Sequence, residues 1–509
     1  MHRDRQTSGL RFVALLTFAC LTLSAAGVPA VGDDELSAEQ SNSVSREKLA
    51  AGTPFETELV IRRAATDGPC VLVVGGMHGN EPAGAAAAAQ ISNWPLEHGT
   101  LIVVARANPP ALAADQRYTP DVDRAIRNLN RNFVVTADGV QTTGVMAPQL
   151  WKVVQQFQPD WVFDLHEGFD FNRINRNSVG SSVIADKDPE TQGMSNLLIS
   201  VVDEEISDPD RKFTRRGPPI KGSLARAAAA ATTAHAMILE TTYKDQRLAV
   251  RTRQHRRMMA AALHRLTLLA SCDVANHIVP TKRRSHFNIA LYDDGGTFGK
   301  GVPTLQSLWT SIPNTTVHRI CAADIRAGVL SQFDAICCSG GSGSRQSASL
   351  LEDGREAIRT FVRDGGDYVG ICAGSYLACS GFKWGLGILD AKTKSNRWRR
   401  GRAVLDVQLT PEGTGLFMEE KDLLPILYVN GPIWEPHQQP NLPDYEVLAS
   451  FASEVSDNET PAGIMVHSPA AVKSTYGAGH VICFSPHPEQ SVGAEHLIRQ
   501  TISYLMTVE

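Results

Sequence analysis

The chain has 509 residues, 43% of them hydrophobic and 20% charged; this length exceeds one ordinary core and sets an expectation of two or three domains. A formal charge of −5 and a pI near 6.3 leave no basic excess to neutralise phosphates, so nucleic acid is excluded as the expected partner.

Arg3, Arg5 and Arg11 precede or open the apolar run 12–23, and small residues follow to Ala30. Residues 1–30 therefore read as a secretion signal, too short for a comfortable membrane span. No later stretch is apolar for spanning length. The expectation is an exported protein, periplasmic or extracellular, with no stable membrane insertion after the signal is removed. Cys20 lies inside the apolar run after Thr17-Phe18-Ala19, a poor lipidation context. Residues 31–49 are polar and charge-mixed, as in a flexible spacer.

From about Ala50, strands alternate with helices, the α/β pattern. Residues 70–74 and 101–105 are continuous apolar runs, expected as strands buried on both faces, with a small-residue helix at 83–91 between them. Two more buried strands are expected at 161–165 and 236–239, then an Arg-rich helix at 246–270 with Met259, Leu263 and Leu266 on one side. Residues 273–286 read as a linker, which bounds a first domain at 50–272. A second α/β unit, 287–509, has expected strands at 287–291, 335–338, 368–371 and 481–484. Eight cysteines follow the expected signal, none with CxxC zinc spacing. Most stand in apolar segments as small core residues, and any pairing stays open.

Three strand ends in the first domain carry chemistry. Gly75-Gly76-Met77-His78-Gly79-Asn80-Glu81 follows the first strand, where open α/β sheets gather their sites. A histidine and a glutamate three apart can share one metal ion, although a surface histidine beside a helix-start glutamate has the same spacing. Asp164-Leu165-His166-Glu167 supplies a third ligand at another strand end and completes a His₂Glu set with an open position for water. Asp164 is a candidate to orient it. Glu240 closes the strand before Thr241-Thr242, and partial burial suits such a carboxylate to a general base. Asn108-Pro109-Pro110, Arg117-Tyr118 and Asn128-Leu129-Asn130-Arg131-Asn132-Phe133 lie between the metal motifs. Their arginines and asparagines suit a substrate carboxylate, or else are ordinary surface charges.

Read in order, these motifs resemble the succinylglutamate desuccinylase/aspartoacylase branch of the zinc carboxypeptidase superfamily. The resemblance implies a mixed sheet flanked by helices, one zinc ion on His78, Glu81 and His166, and Glu240 as base and proton shuttle. It also implies that Arg117 polarises the scissile carbonyl and that Asn130 with Arg131 grips the carboxylate of a small-molecule or peptide substrate. Two departures stand out: Asn128 replaces the family's usual aspartate, and 119–126 is an insertion that leaves Arg124 and Arg127 as alternatives to Arg117. No small β-rich closing domain is evident after Cys272.

In the second unit, Gly370-Ile371-Cys372-Ala373-Gly374-Ser375 reads as a nucleophile turn between strand and helix. His487 and Glu489 end another apolar strand as candidate base and orienting acid. Ser339-Gly340-Gly341-Ser342-Gly343 is a candidate oxyanion loop. These residues resemble class I glutamine amidotransferases, which implies a flavodoxin-like domain. With Asn430-Gly431-Pro432-Ile433-Trp434 they are similar to the N-terminal domain of some biotin–protein ligases. No ligase catalytic segment and no synthetase domain accompany them. The expectation is a zinc amidohydrolase with an accessory domain. The alternatives are a cysteine-dependent amidase at Cys372 and a non-catalytic ligand-binding protein built from both folds.

Overall fold

The computed structural model describes residues 41–280, 286–419 and 421–508; the expected signal, 1–30, lies outside them. The main sheet of the first half is built from β1 (Ser43–Leu49), β2 (Thr57–Arg63), β3 (Cys70–Gly75), β4 (Thr100–Val104), β5 (Trp161–Gly168), β6 (Ser182–Ala185), β7 (Thr214–Arg216) and β8 (His235–Thr242); Phe133–Thr136 and Gly139–Thr142 pair as a separate hairpin. The main sheet is mixed, in the order β1-β2-β4-β3-β5-β8-β6-β7. Its centre, β4-β3-β5-β8, is parallel, while β1, β2 and β6 each run antiparallel to a neighbour. The helices α1 (Pro82–Ile91) and α2 (Leu248–Arg265) pack on one another over this centre. Val71, Val73, Phe163, Met237 and Leu263 share the buried cluster between sheet and helices.

Four elements differ from the sequence-based expectation. The strand β1 falls inside the stretch read as a spacer. Its side chains are exposed apart from Leu49, so it carries no apolar pattern, and its seven-residue ladder with β2 is what holds it. The strands β5 and β8 run on through His166 and Glu240, which places both residues within strands, in register with each other. The helix α2 is shorter than expected and buried on its charged side too, because Arg251, Arg253 and Arg256 find acidic partners.

In the second half the main-sheet strands are β9 (Phe287–Tyr292), β10 (Thr315–Ile320), β11 (Ala335–Cys338), β12 (Asp367–Ile371), β13 (Arg402–Leu409), β14 (Leu423–Val429), β15 (Glu446–Phe451), β16 (Pro469–Tyr476) and β17 (Gly479–Phe484); Ala391–Thr393 and Trp434–Pro436 pair apart from it. The main-sheet order is β10-β9-β11-β12-β17-β16-β15-β13-β14. The first five are parallel in the flavodoxin-like order 2-1-3-4-5, and the last four are an antiparallel extension. The joint between the halves is not a free tether. Ala275 belongs to a core cluster of the first half, Ile278 and Val279 to one of the second, and the described residues of both halves form one compact unit. All eight described cysteines are unpaired, five of them in strands or at strand ends in the second core.

Candidate functional site

The loop after β3 bends tightly because Gly76 takes φ +72 and because a Cβ on Gly79 would sit 1.8 Å from the Ala111 carbonyl oxygen. Asn108 fastens it, donating to the Met77 carbonyl at 3.2 Å. The loop delivers His78 and then Glu81, whose side chain makes no cap hydrogen bond to the helix it precedes. Instead, the buried Glu81 carboxylate stands between two rings: Oε1 is 2.9 Å from His78 Nδ1, and Oε2 is 2.8 Å from His166 Nδ1.

The far side of each ring is fixed as well. His78 Nε2 donates to Asn128 Oδ1 at 3.1 Å, and His166 Nε2 donates to Asp164 Oδ2 at 2.9 Å. These partners leave each Nδ1 lone pair facing a carboxylate oxygen. Only a cation relieves that arrangement, either a proton on each ring or one shared metal ion. The ligand atoms of His78, Glu81 and His166 all lie within 4.8 Å of one another, the one such group among the described residues. The donor set and its orienting partners fit zinc.

Glu240 stands beside His166 on the adjacent strand, and its Oε2 is buried without a hydrogen-bond partner. Burial raises its pKa above the ordinary carboxylate range, with Glu81 adding to the rise against His166 and Arg117. Arg117 donates to Glu81 Oε1 and is partly open to solvent. Arg127 instead stacks 4.3 Å over the Tyr118 ring, and Arg124 is exposed, so of the three only Arg117 touches a residue of this cluster among the contacts described. Asn130, expected to grip substrate, is buried and engaged at both ends: its Nδ2 donates to Asp164 Oδ2 at 3.1 Å, and its Oδ1 accepts from Leu224 N at 3.0 Å. Arg131 is half-buried and feels the charges of Arg117 and Glu240. Arg251 escaped the sequence reading, which named Glu167 in a motif without giving it a role. Glu167 accepts from Ala83 N at 2.6 Å and from Arg251, and so ties β5 and α2 to the start of α1.

In the second half Cys372 sits between β12 and a short helix at φ 50, ψ −97, a conformation that costs a non-glycine residue energy. Its N–H donates to the Phe484 carbonyl at 2.8 Å. His487 Nδ1 lies 2.8 Å from Glu489 Oε1, and the Cys372 thiol donates to the Val429 carbonyl at 3.4 Å. Burial disfavours the charged ring, but Cys372 and Glu489 outweigh it and lift the His487 pKa to about 10. The loop 339–343 lies against this pair; a Cβ on Gly340 would come within 2.7 Å of His487 Cε1. A cavity of about 550 Å³ opens over Cys372 and His487.

Residues 67–174 match the succinylglutamate desuccinylase/aspartoacylase catalytic domain. Residues 287–398 match biotin-protein ligase, N terminal. Among curated proteins, N-alpha-acetyl-L-2,4-diaminobutyric acid deacetylase of Halomonas elongata is 33% identical over 128 residues, 25% of this chain. The chain spans 35% of that relative's length. Two solved structures overlap more of the chain. The Gln46His variant of cell shape determinant protein Csd4 from Helicobacter pylori is 17% identical, with TM-score 0.36, over 44% of this chain and 63% of that one. A succinylglutamatedesuccinylase/aspartoacylase from Rhodobacter sphaeroides is 16% identical, with TM-score 0.33, over 47% and 71%.

The desuccinylase/aspartoacylase segment thus covers His78, Glu81, Asn128, Asn130, Arg131 and His166, while Glu240 lies beyond it. Asn128, a departure from the family pattern, still offers His78 a side-chain oxygen. The biotin-protein ligase segment includes Cys372 but ends before His487 and Glu489. The aromatic side chains over Cys372, chiefly Phe382, Trp384 and Trp398, escaped the sequence reading because they lie in irregular backbone without periodicity. No helix among the described residues is long and apolar enough to cross a membrane.

Proposed function

We propose that the first half is an exported, zinc-dependent hydrolase that cleaves an amide bond near a substrate carboxylate, in an N-acyl amino acid or a short peptide. The observation that carries this reading is the Glu81 carboxylate held between His78 Nδ1 and His166 Nδ1, with the buried, unpartnered Glu240 oxygen on the neighbouring strand. Zinc on His78, Glu81 and His166 supplies a Lewis acid and lowers the pKa of water. Glu240, its proton affinity raised by burial, takes the proton of the attacking water and delivers it to the leaving nitrogen. Arg117, partly exposed at the edge of the cluster, polarises the carbonyl, and Arg131 meets the substrate carboxylate as a planar fork. Asn130 serves by positioning Asp164 and, through it, His166. The second half presents substrate or governs access, and the signal-like residues 1–30 support export.

A second reading, a thiol amidase, draws on the strained Cys372 backbone and the His487–Glu489 pair.

Metal content and hydrolysis of a panel of N-acyl amino acids and short peptides test the first reading. The expected result is about one zinc ion per chain, with turnover falling about 10²–10⁴-fold in Glu240→Gln while zinc is retained. Cys372→Ala should keep the activity. Hydrolysis of the whole panel that is undiminished in Glu240→Gln and lost in Cys372→Ala overturns the assignment, and a protein that cannot be loaded with zinc overturns the ligand set.

A further inference from the structure

The cavity over Cys372, at about 550 Å³, falls in the range of pockets for drug-sized ligands and exceeds what one free amino acid fills. Its wall is aromatic. Phe382 and Trp384 stack with centroids 4.6 Å apart and an interplanar angle of 22°, while Trp398 at the mouth is 49% exposed. Such surfaces receive the face of a ring or a broad apolar group.

Its charge is one-signed. No aspartate or glutamate among the described residues lines it, whereas Arg402 does, without an ion pair among those residues. Arg399 adds a second cation, 5.0 Å over the Trp398 ring. An unpaired guanidinium at the lip of an apolar cavity selects a carboxylate.

We propose that this cavity is an acyl-transfer site for a carboxylate-bearing amide with a ring-shaped or broad apolar body, held on Phe382, Trp384 and Trp398 with its carboxylate on Arg402. The inference rests on the reading of Cys372 as a nucleophile. His487, oriented by Glu489, accepts the thiol proton, and Sγ attacks the amide carbon. The C–S bond forms, the C–N bond breaks, and the amine leaves with the proton that His487 held. Water then attacks the thioester while His487 takes its proton; the C–S bond breaks, the acid is released, and the thiol is reprotonated. The sum is amide plus water giving acid plus amine.

The test uses the full chain in a Glu240→Gln background, which silences the metal centre. Three probes separate the features: γ-glutamyl-p-nitroanilide carries both ring and carboxylate, acetyl-p-nitroanilide only the ring, and L-glutamine only the carboxylate. Mass spectrometry of Cys372 after iodoacetamide reports the nucleophile independently. The expected result is His487-dependent alkylation of Cys372, with kcat/KM for γ-glutamyl-p-nitroanilide about tenfold or more above the other two. Trp384→Ala and Arg402→Gln should each raise its KM about tenfold and leave alkylation unchanged. Equal or better use of L-glutamine, or unchanged KM in both variants, overturns the substrate class while the nucleophile stands. Alkylation with no turnover of any probe, and no protection by γ-glutamyl-p-nitroanilide, also overturns the substrate class. Absent alkylation and absent turnover overturn the nucleophile itself and the inference with it.

Discussion

Two side-chain oxygens, Asn128 Oδ1 and Asp164 Oδ2, hold the His78 and His166 rings from behind. Each accepts from an Nε2–H, which leaves Nδ1 facing the Glu81 carboxylate as the candidate ligand atom. Replacing Asn128 with leucine removes that acceptor and keeps the bulk, so metal affinity should drop about 10–100-fold, read by competition against a chelator at fixed pH. Asn128→Asp should retain the affinity, since a carboxylate accepts the same bond. The chemistry-bearing residues themselves were legible from sequence, because histidine and glutamate at strand ends have few other uses in an apolar run. The direction each side chain takes was not: Asn130 and Arg131 are adjacent in sequence, yet one is locked under His166 and the other is half-exposed beside Arg117.

The element that delivers His78 depends on backbone contact closer than any side chain allows. A methyl group on Gly79 meets the Ala111 carbonyl, so Gly79→Ala must push the loop away from the helix Pro109–Ala114. A destabilisation of about 1–3 kcal/mol, measured by urea unfolding, should accompany loss of metal binding. The parallel strands β3, β5 and β8 were readable as apolar runs because they are buried on both faces. The strand β1 was not, since its pairing is all backbone and its side chains face water. The strands β5 and β8 also continue through polar residues that composition would place in loops, because those residues point into the site.

The two halves meet through ion pairs that neither sequence segment announces. Asp324 accepts from Arg253 at 2.8 Å and from Arg256 at 2.5 Å, and it and Arg256 are both about 1% exposed. Asp324→Asn keeps the shape but leaves Arg256 as an uncompensated buried charge, a loss of about 3–5 kcal/mol visible in thermal or urea unfolding of the full chain. His318, on β10, is half-buried with its Nε2 enclosed, and desolvation with Arg256 nearby lowers its pKa to about 4. The unfolded ring titrates near 6.5, so between these values the unfolded chain binds more protons. Stability is therefore full above about pH 6.5 and falls as the pH drops towards 4. Urea midpoints at several pH values should show a shallower fall for His318→Gln.

By itself the sequence determined two α/β units, the strand ends that carry His78, Glu81, His166, Glu240 and Cys372, and the order of the motifs. These follow from local pattern, since hydrophobic period and turn chemistry act over a few residues. Tertiary structure alone decided which atoms face each other: two imidazoles on one carboxylate, Asn130 behind rather than beside the substrate space, an aromatic cavity over Cys372, and charged seams that join the halves. Those depend on contacts between residues far apart in sequence: Glu81 and His166 are 85 positions apart, and Arg253 and Asp324 are 71 apart. Closing such distances is a property of packing that no local pattern encodes.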